Sequence, residues 1–391
     1  MRRGIAFGFC SALLVACAAD LRDDVKEVTN NSAVTTSAVA TTTTWSNQHL
    51  SEVEDDEPQT TATTSVDSSP TTTRLQSSDN RQQAAEFWAP YRGTPIPEAT
   101  FAAPRLALKI DNAPAAVPQQ GIQEADLVFE ELVEGGLTRF LAIFHTRVPE
   151  TAGPVRSGRS TDIPLLMPFD GALFGWSGAN WAFRKLLDSV AVTDVGVYRK
   201  PSDYWRRTDR PTPSDLWAHS EKLLRHAPDD LPPAEPIWPF RDLGQPVTSD
   251  AEPTDGVDVT WGSTDVSFRW AAALGGWQRF QNGEQHLVAD DEGDLVTLAP
   301  ENVVVQFTKY ILSNEIDSNG ARIPIAQLTE GEGRAWILTD GKVIEGRWNK
   351  PNITVHTQFT DATGRAVAMA PGSTWILLVP RDAATLINEN D

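Results

Sequence analysis

From residue 104 to residue 146 the chain switches between apolar runs and short polar breaks. Pro104 to Ile110 alternates toward a strand, which Asp111-Asn112 ends. Ala113 to Gln120 carries two prolines and reads as a loop, since proline lacks a backbone donor and fixes φ. Ala125 to Val133 and Leu137 to Thr146 both have the composition of strands. Between them Glu134-Gly135-Gly136 predicts a turn, because paired glycines take positive φ at no steric cost. The simplest outcome is a β-hairpin closed at the glycines, and a bulged connection fits as well. Strand side chains alternate between faces. That alternation predicts Glu130, Leu132 and Glu134 on one side, with Phe129, Glu131 and Val133 on the other.

Further along, Asp162 to Met167 and Ala179 to Val190 have helical patterning, and Leu216 to His226 reads as an amphipathic helix. Leu231 to Thr254 is proline-rich and predicts a connection. Beyond it the apolar pattern is almost all strand: 257–261, 266–271, 276–281, 303–312, 335–339, 342–347 and 374–379. Asn282-Gly283 and Asp340-Gly341 are strong hairpin signals, and Asn319-Gly320 and Thr363-Gly364 add turns. The expected fold class is α+β, with layered β-sheets and helices on one side in an N-terminal domain, followed by a mainly β C-terminal domain. The expected boundaries are 86–240 and 257–385, joined by a proline-rich linker at 241–256. Trp270, Trp277 and Trp348 read as exposed on the second domain, with core packing as the alternative.

The first 85 residues have a different pattern. Arg2 and Arg3 precede a short apolar run, Ile5 to Ala16, too short for a stable membrane span. Residues 1–16 are therefore expected to be a signal peptide. Leu14-Val15-Ala16-Cys17 looks like a bacterial lipobox, which makes Cys17 the expected lipidation site. A diacylated cysteine would hold the protein on the outer, extracytoplasmic face of the membrane, since two acyl chains anchor stably where one does not. Residues 17–85 then form an acidic, Thr/Ser-rich tether whose composition buries too little apolar surface to fold.

Composition narrows the chemistry. With 33 basic and 53 acidic residues the chain lacks the basic footprint that nucleic-acid binding requires. The two cysteines, Cys10 and Cys17, both precede the folded part, which excludes internal disulfides and cysteinyl metal sites there. His219 and His226 stand seven apart with no third ligand in the sequence. No P-loop, GxGxxG, HExxH or EF-hand loop occurs, so neither a cofactor nor a metal is expected. Gly175-Trp176-Ser177-Gly178-Ala179 departs from a nucleophile elbow at Ala179.

The candidate site residues are the charges set at the edges of apolar runs, with their polar neighbours. They are Asp111, Asn112, Glu130, Glu134, Thr138, Arg139, Arg156, Ser157 and Arg159. Arg156 and Arg159, three apart between glycines and serines, present two planar guanidinium forks suited to one anion. The carboxylates either orient the arginines or take a ligand's amino or hydroxyl groups.

The same pieces resemble the YerB-like bacterial lipoproteins, a two-domain family of unknown function. The resemblance rests on Asp111-Asn112, Pro118-Gln119, Ala125-Asp126, Phe129-Glu130, Glu134 to Arg139 and Pro154 to Arg159. In the second half it rests on Asn302 to Gln306, Gly341-Lys342, Gly346 to Lys350 and Pro371 to Trp375. It implies a two-domain α+β protein with layered sheets, and no assigned reaction. Two steps depart from the family pattern: Val117 replaces an arginine, and Pro213-Ser214-Asp215-Leu216 replaces a Pro-His-Asn-Leu step. The expected function is a lipid-anchored envelope protein that binds an anionic ligand, a wall peptide or polymer, through an arginine/carboxylate cleft. Its expected partners are the membrane, through the lipid, and a wall ligand or envelope protein. The alternative is an envelope hydrolase or transferase with Glu130 or Glu134 as general base.

Overall fold

Apolar runs from both halves of the chain meet in one 11-stranded mixed sheet. The computed structural model describes residues 87–388 apart from 249, 318 and 319. The signal, the lipobox and the whole tether region therefore lie outside the described residues. At the centre, Leu127–Leu132 and Thr138–Phe144 pair as the antiparallel hairpin that the glycine turn predicts. Leu106–Asp111 pairs antiparallel with the far side of Thr138–Phe144. On the near side, Thr374–Val379 lies parallel to Leu127–Leu132 and also parallel to Asn302–Phe307. Gly331–Thr339 and Lys342–Lys350 continue the sheet antiparallel.

Both faces of this sheet are covered. Every residue of Leu106–Asp111, Asn302–Phe307 and Thr374–Val379 is buried, which is why these strands are near-continuous apolar runs instead of alternating ones. One face packs against a five-stranded antiparallel sheet, whose Val257, Val259, Trp261, Val266, Phe268 and Trp277 join Leu108, Phe140 and Val305 in one core. The other face carries the helices Asp162–Leu166 and Trp181–Leu187, which bring Ile163, Leu166, Phe183 and Leu187 against Ala107, Leu141 and Ile376. The layered α+β class and the mainly β second half match the sequence reading.

Three expectations are corrected. Leu216 to His226 is not one helix: Leu216–His219 is a strand beside Tyr204–Arg206, and only Ser220–Leu224 is helical. Leu216, Trp217 and Ala218 are all buried, and a short apolar run has no periodicity to separate strand from helix. The run 303–312 is two strands, Asn302–Phe307 in the central sheet and Tyr310–Ile316 in a separate hairpin with Arg322–Ala326. Trp277 is wholly buried and Trp348 nearly so, its indole N–H donating to the Phe307 carbonyl at 2.9 Å. Trp270 is partly buried and packs against Trp277, with ring centroids 5.1 Å apart.

The two layers of sheet are joined by a buried charge. Arg279, wholly buried, reaches Glu130 on the central hairpin at 2.8 Å. Its guanidinium lies 5.3 Å from the Phe140 ring centroid, 5.9 Å from that of Phe268 and 5.4 Å from that of Trp375. Thr138 donates to the same Glu130 oxygen at 2.8 Å. Arg279 also donates to His286 Nδ1, and His286 Nε2 donates to Gln119 at 2.7 Å, an arrangement that requires a neutral ring. Burial, then the adjacent Arg279, hold the His286 pKa well below its usual value.

Removing one member of a buried ion pair leaves the other charge uncompensated, at a cost of about 3–5 kcal/mol. Arg279→Met is therefore expected to lower the denaturant midpoint by that order. The double variant Glu130→Leu/Arg279→Met is expected to recover at least half the loss in the same urea titration. Equal destabilisation by the single and the double variant would contradict the assignment.

Candidate functional site

The Glu-Gly-Gly turn shapes the site. Gly135 and Gly136 both have φ of +73°. A β-carbon on Gly136 would lie 2.6 Å from the Ser263 amide nitrogen, so the close approach needs glycine. Ser263 N and Thr264 Oγ1 donate to the Gly136 carbonyl at 3.2 and 3.1 Å, and Ser263 Oγ donates to that of Gly135 at 2.7 Å. The five-stranded sheet thus clamps the turn.

This clamp corrects the side-chain alternation. Regular alternation holds through the strand Leu127–Leu132, so Glu130 and Glu131 point to opposite faces of the sheet. At residues 134–136 the chain turns tightly through two left-handed glycines, and Glu134 leaves the Glu130 face. It joins the face of Arg139, which sits directly opposite both Glu131 and Asp111 in the strand registers.

There Arg159 lies against both oxygens of Glu134, Nη2 donating to one at 2.9 Å and Nε standing 2.7 Å from the other as an ion-pair contact. The Arg159 amide donates to Asp162 at 2.7 Å. The other Asp162 oxygen accepts Lys109 Nζ at 2.7 Å, and Lys109 also donates to Glu131. The side chains of Lys109, Glu131 and Asp162 are all buried. Arg156 Nε stands 3.3 Å from Asp111, whose carboxylate also accepts the Ser214 hydroxyl at 2.7 Å.

Arg139 differs from its neighbours. It is only 7% exposed, yet its nearest carboxylate, Glu134, is 4.0 Å away and already engaged by Arg159. Arg139 donates one bond, Nη1 to the Ser157 carbonyl at 3.1 Å, and its Nε has no partner. Burial, followed by the proximity of Arg159 and Arg156, lowers its pKa to about 9.

These groups form the floor of a groove of about 740 Å³, lined by Glu134, Arg139, Arg156, Ser157 and Arg159. Of the nine residues singled out from the sequence, those five line it and Asp111 supports it from behind. Glu130, Asn112 and Thr138 do not reach it. They lie on the opposite face, all at most 1% exposed, in the network around Arg279. One step in a strand moves a side chain to the other face, and sequence distance hides that separation. The sequence reading missed Ser214, although the departure from the family's histidine step marks its position. It also missed Tyr198, Ile316 and Ile323 on the groove walls, which carry no charge signal.

Three guanidiniums face two carboxylates on and behind this floor, one positive charge in excess there, while Asp317 adds a carboxylate on the opposite wall. Guanidinium donors in such an arrangement have the chemistry to meet an anion. The arrangement offers little to base catalysis, because both Glu134 oxygens face Arg159. Among the described residues no group of three or more His, Cys, Asp or Glu is placed to hold a metal.

Comparison with known proteins shows the same organisation. The family described as a protein of unknown function (DUF3048), N-terminal domain, matches residues 93–232, and its C-terminal domain matches residues 257–376. YerB of Bacillus subtilis (strain 168), designated a lipoprotein by name, is 30% identical over 298 residues, spanning 72% of this chain and 83% of YerB. The crystal structure of YerB from Bacillus subtilis superposes with a TM-score of 0.66 at 27% identity, over 78% of this chain and 100% of that one.

The buried triad beneath Arg159 sets a pH dependence. Burial raises the Glu131 pKa to about 7, against the opposing pull of Lys109. The folded protein then binds more protons here than the unfolded chain, so this contribution to stability is full below about pH 4 and is lost as pH rises through the folded value. One such group gives a slope of at most about 1.4 kcal/mol per pH unit. Thermal melts from pH 5 to pH 8 are expected to fall more steeply for the native chain than for Glu131→Gln. Parallel curves would remove Glu131 as the cause.

Proposed function

The chain belongs to the two-domain DUF3048 family, and we propose that it is a lipid-anchored protein of the cell envelope that holds an anionic group in the three-arginine groove. Anchoring is supported by the Leu14-Val15-Ala16-Cys17 sequence and by the lipoprotein designation of its relative YerB. A signal peptide ahead of that cysteine favours the extracytoplasmic face.

The observation that carries the ligand reading is Arg139. A buried guanidinium crowded by two others, without a close carboxylate of its own, is electrostatically unfavourable until an anion arrives. Arg159 is committed to Glu134 and orients the floor. Arg139 and Arg156 are the groups with donors to offer. The carboxylates of wall peptides and the acidic groups of wall polymers fit this chemistry and this location. The hydrolase reading has less support, since Glu130 is sealed in the interior and both Glu134 oxygens lie against Arg159.

Two measurements test the proposal. Replacing Cys17 with serine is expected to move the protein from the membrane fraction to the soluble fraction, and unchanged membrane association would reject the anchor. Titration of the purified protein with soluble wall peptides and anionic wall polymer is expected to show binding that weakens with salt. Arg139→Gln should weaken it at least tenfold with little change in melting temperature. If a folded Arg139→Gln/Arg156→Gln variant binds as tightly as the native protein, the groove is not the site.

A further inference from the structure

The groove is cationic on one side only. Its opposite wall comes from the hairpin formed by Tyr310–Ile316 and Arg322–Ala326, which contributes Ile316 and Ile323. The hairpin is fixed at its base. Tyr310 Oη donates to the Leu378 carbonyl at 2.8 Å and accepts the Leu132 amide at 3.2 Å. The Ala326 amide donates to Thr161 Oγ1 at 3.1 Å, next to the Asp162 that holds Arg159. The wall is thus seated on the central hairpin that carries Arg139 and beside the loop that carries Arg156 and Arg159.

Beyond its base the hairpin presents aliphatic side chains to solvent: Ile316 is 59% exposed, Leu312 56% and Ile311 43%. Leu137 adds an apolar side chain beside the floor, and Tyr198 on the other rim is 64% exposed with Arg184 stacked 4.7 Å from its ring centroid. Asp317, on the hairpin turn, also lines the groove, and one of its oxygens accepts the Ala321 amide at 2.8 Å. Grouped aliphatic and aromatic surface around a ligand groove marks contact with an apolar partner. A small, purely ionic ligand would use the arginines and leave these side chains in water.

We propose that the groove binds an amphiphilic anion, its phosphate or carboxylate head on Arg139 and Arg156 and its hydrocarbon part against Leu137 and the exposed Ile316, which the buried Ile323 backs. This rests on the anion-binding reading of the same groove and names the class of ligand. The head supplies what Arg139 lacks, and the tail covers the aliphatic wall. A hydrocarbon-linked anion of this kind is native to the membrane surface where a lipid-anchored protein would work.

The test is a homologous series of n-alkyl phosphates, kept below their micellar concentrations and titrated into the full-length protein beside inorganic phosphate and octanol. Affinity is expected to rise by up to about fourfold per buried methylene, so that octyl phosphate binds at least about thirtyfold tighter than ethyl phosphate. Ile316→Asn, a change at an exposed position, should flatten the series while leaving inorganic phosphate unaffected. Arg139→Gln should weaken every phosphate in the series and leave octanol unchanged. A flat series with phosphate binding retained overturns the amphiphile and keeps the anion groove. No binding of any phosphate overturns both. Octanol binding as tightly as octyl phosphate overturns the role of the head.

Discussion

A carboxylate buried in a protein must be met by a cation or give up its charge. In this protein two such carboxylates stand side by side on one strand. Glu130 and Glu131 point to opposite faces of the central sheet, and each is met by a fully buried cation, Arg279 on one side and Lys109 on the other. The first pair fixes the five-stranded sheet over the hairpin. The second fixes the Asp162 helix, and with it the loop that carries Arg156 and Arg159. The seating of both outer layers on the central sheet depends on these adjacent glutamates being satisfied in opposite directions.

The groove inherits its properties from that arrangement. With Glu131 and Asp162 bound to Lys109, neither is free to pair with an arginine side chain. Glu134 remains, and Arg159 lies against both of its oxygens. Arg139 is left in a buried position with one carbonyl partner and two cationic neighbours. The imbalance comes from geometry, since the chain as a whole is strongly acidic, at a formal net charge of −20. Local surplus charge against the overall sign is the feature on which the proposed anion binding rests.

Both ends of the chain's folded part contribute to this one site. Ser263 and Thr264, far along the sequence, clamp the glycine turn that aims Glu134. The Tyr310–Ile316 hairpin supplies the aliphatic wall. The two family segments therefore share a single sheet and a single groove, with the second segment shaping a floor whose charges come from the first.

Taken alone, the sequence determined the hairpin, because Gly135-Gly136 between two apolar runs has few other backbone solutions. It determined the α+β class and the strand-rich second half, and it singled out Arg139, Arg156 and Arg159, which line one groove, because charges at the edges of apolar runs are visible without coordinates. It could not tell Glu130 from Glu134. The two are close in sequence and look equivalent, yet one lies in the core and the other in the groove. That difference was decided by the turn, where positive φ at two residues breaks the alternation, and by Arg279, distant in sequence, which claims Glu130. It also could not place Trp277, Trp348 or the Ile316 wall, because burial and exposure of an apolar residue depend on which layer covers it. Local patterning sets which elements form, and only the packing of layers decides which charges remain unpaired.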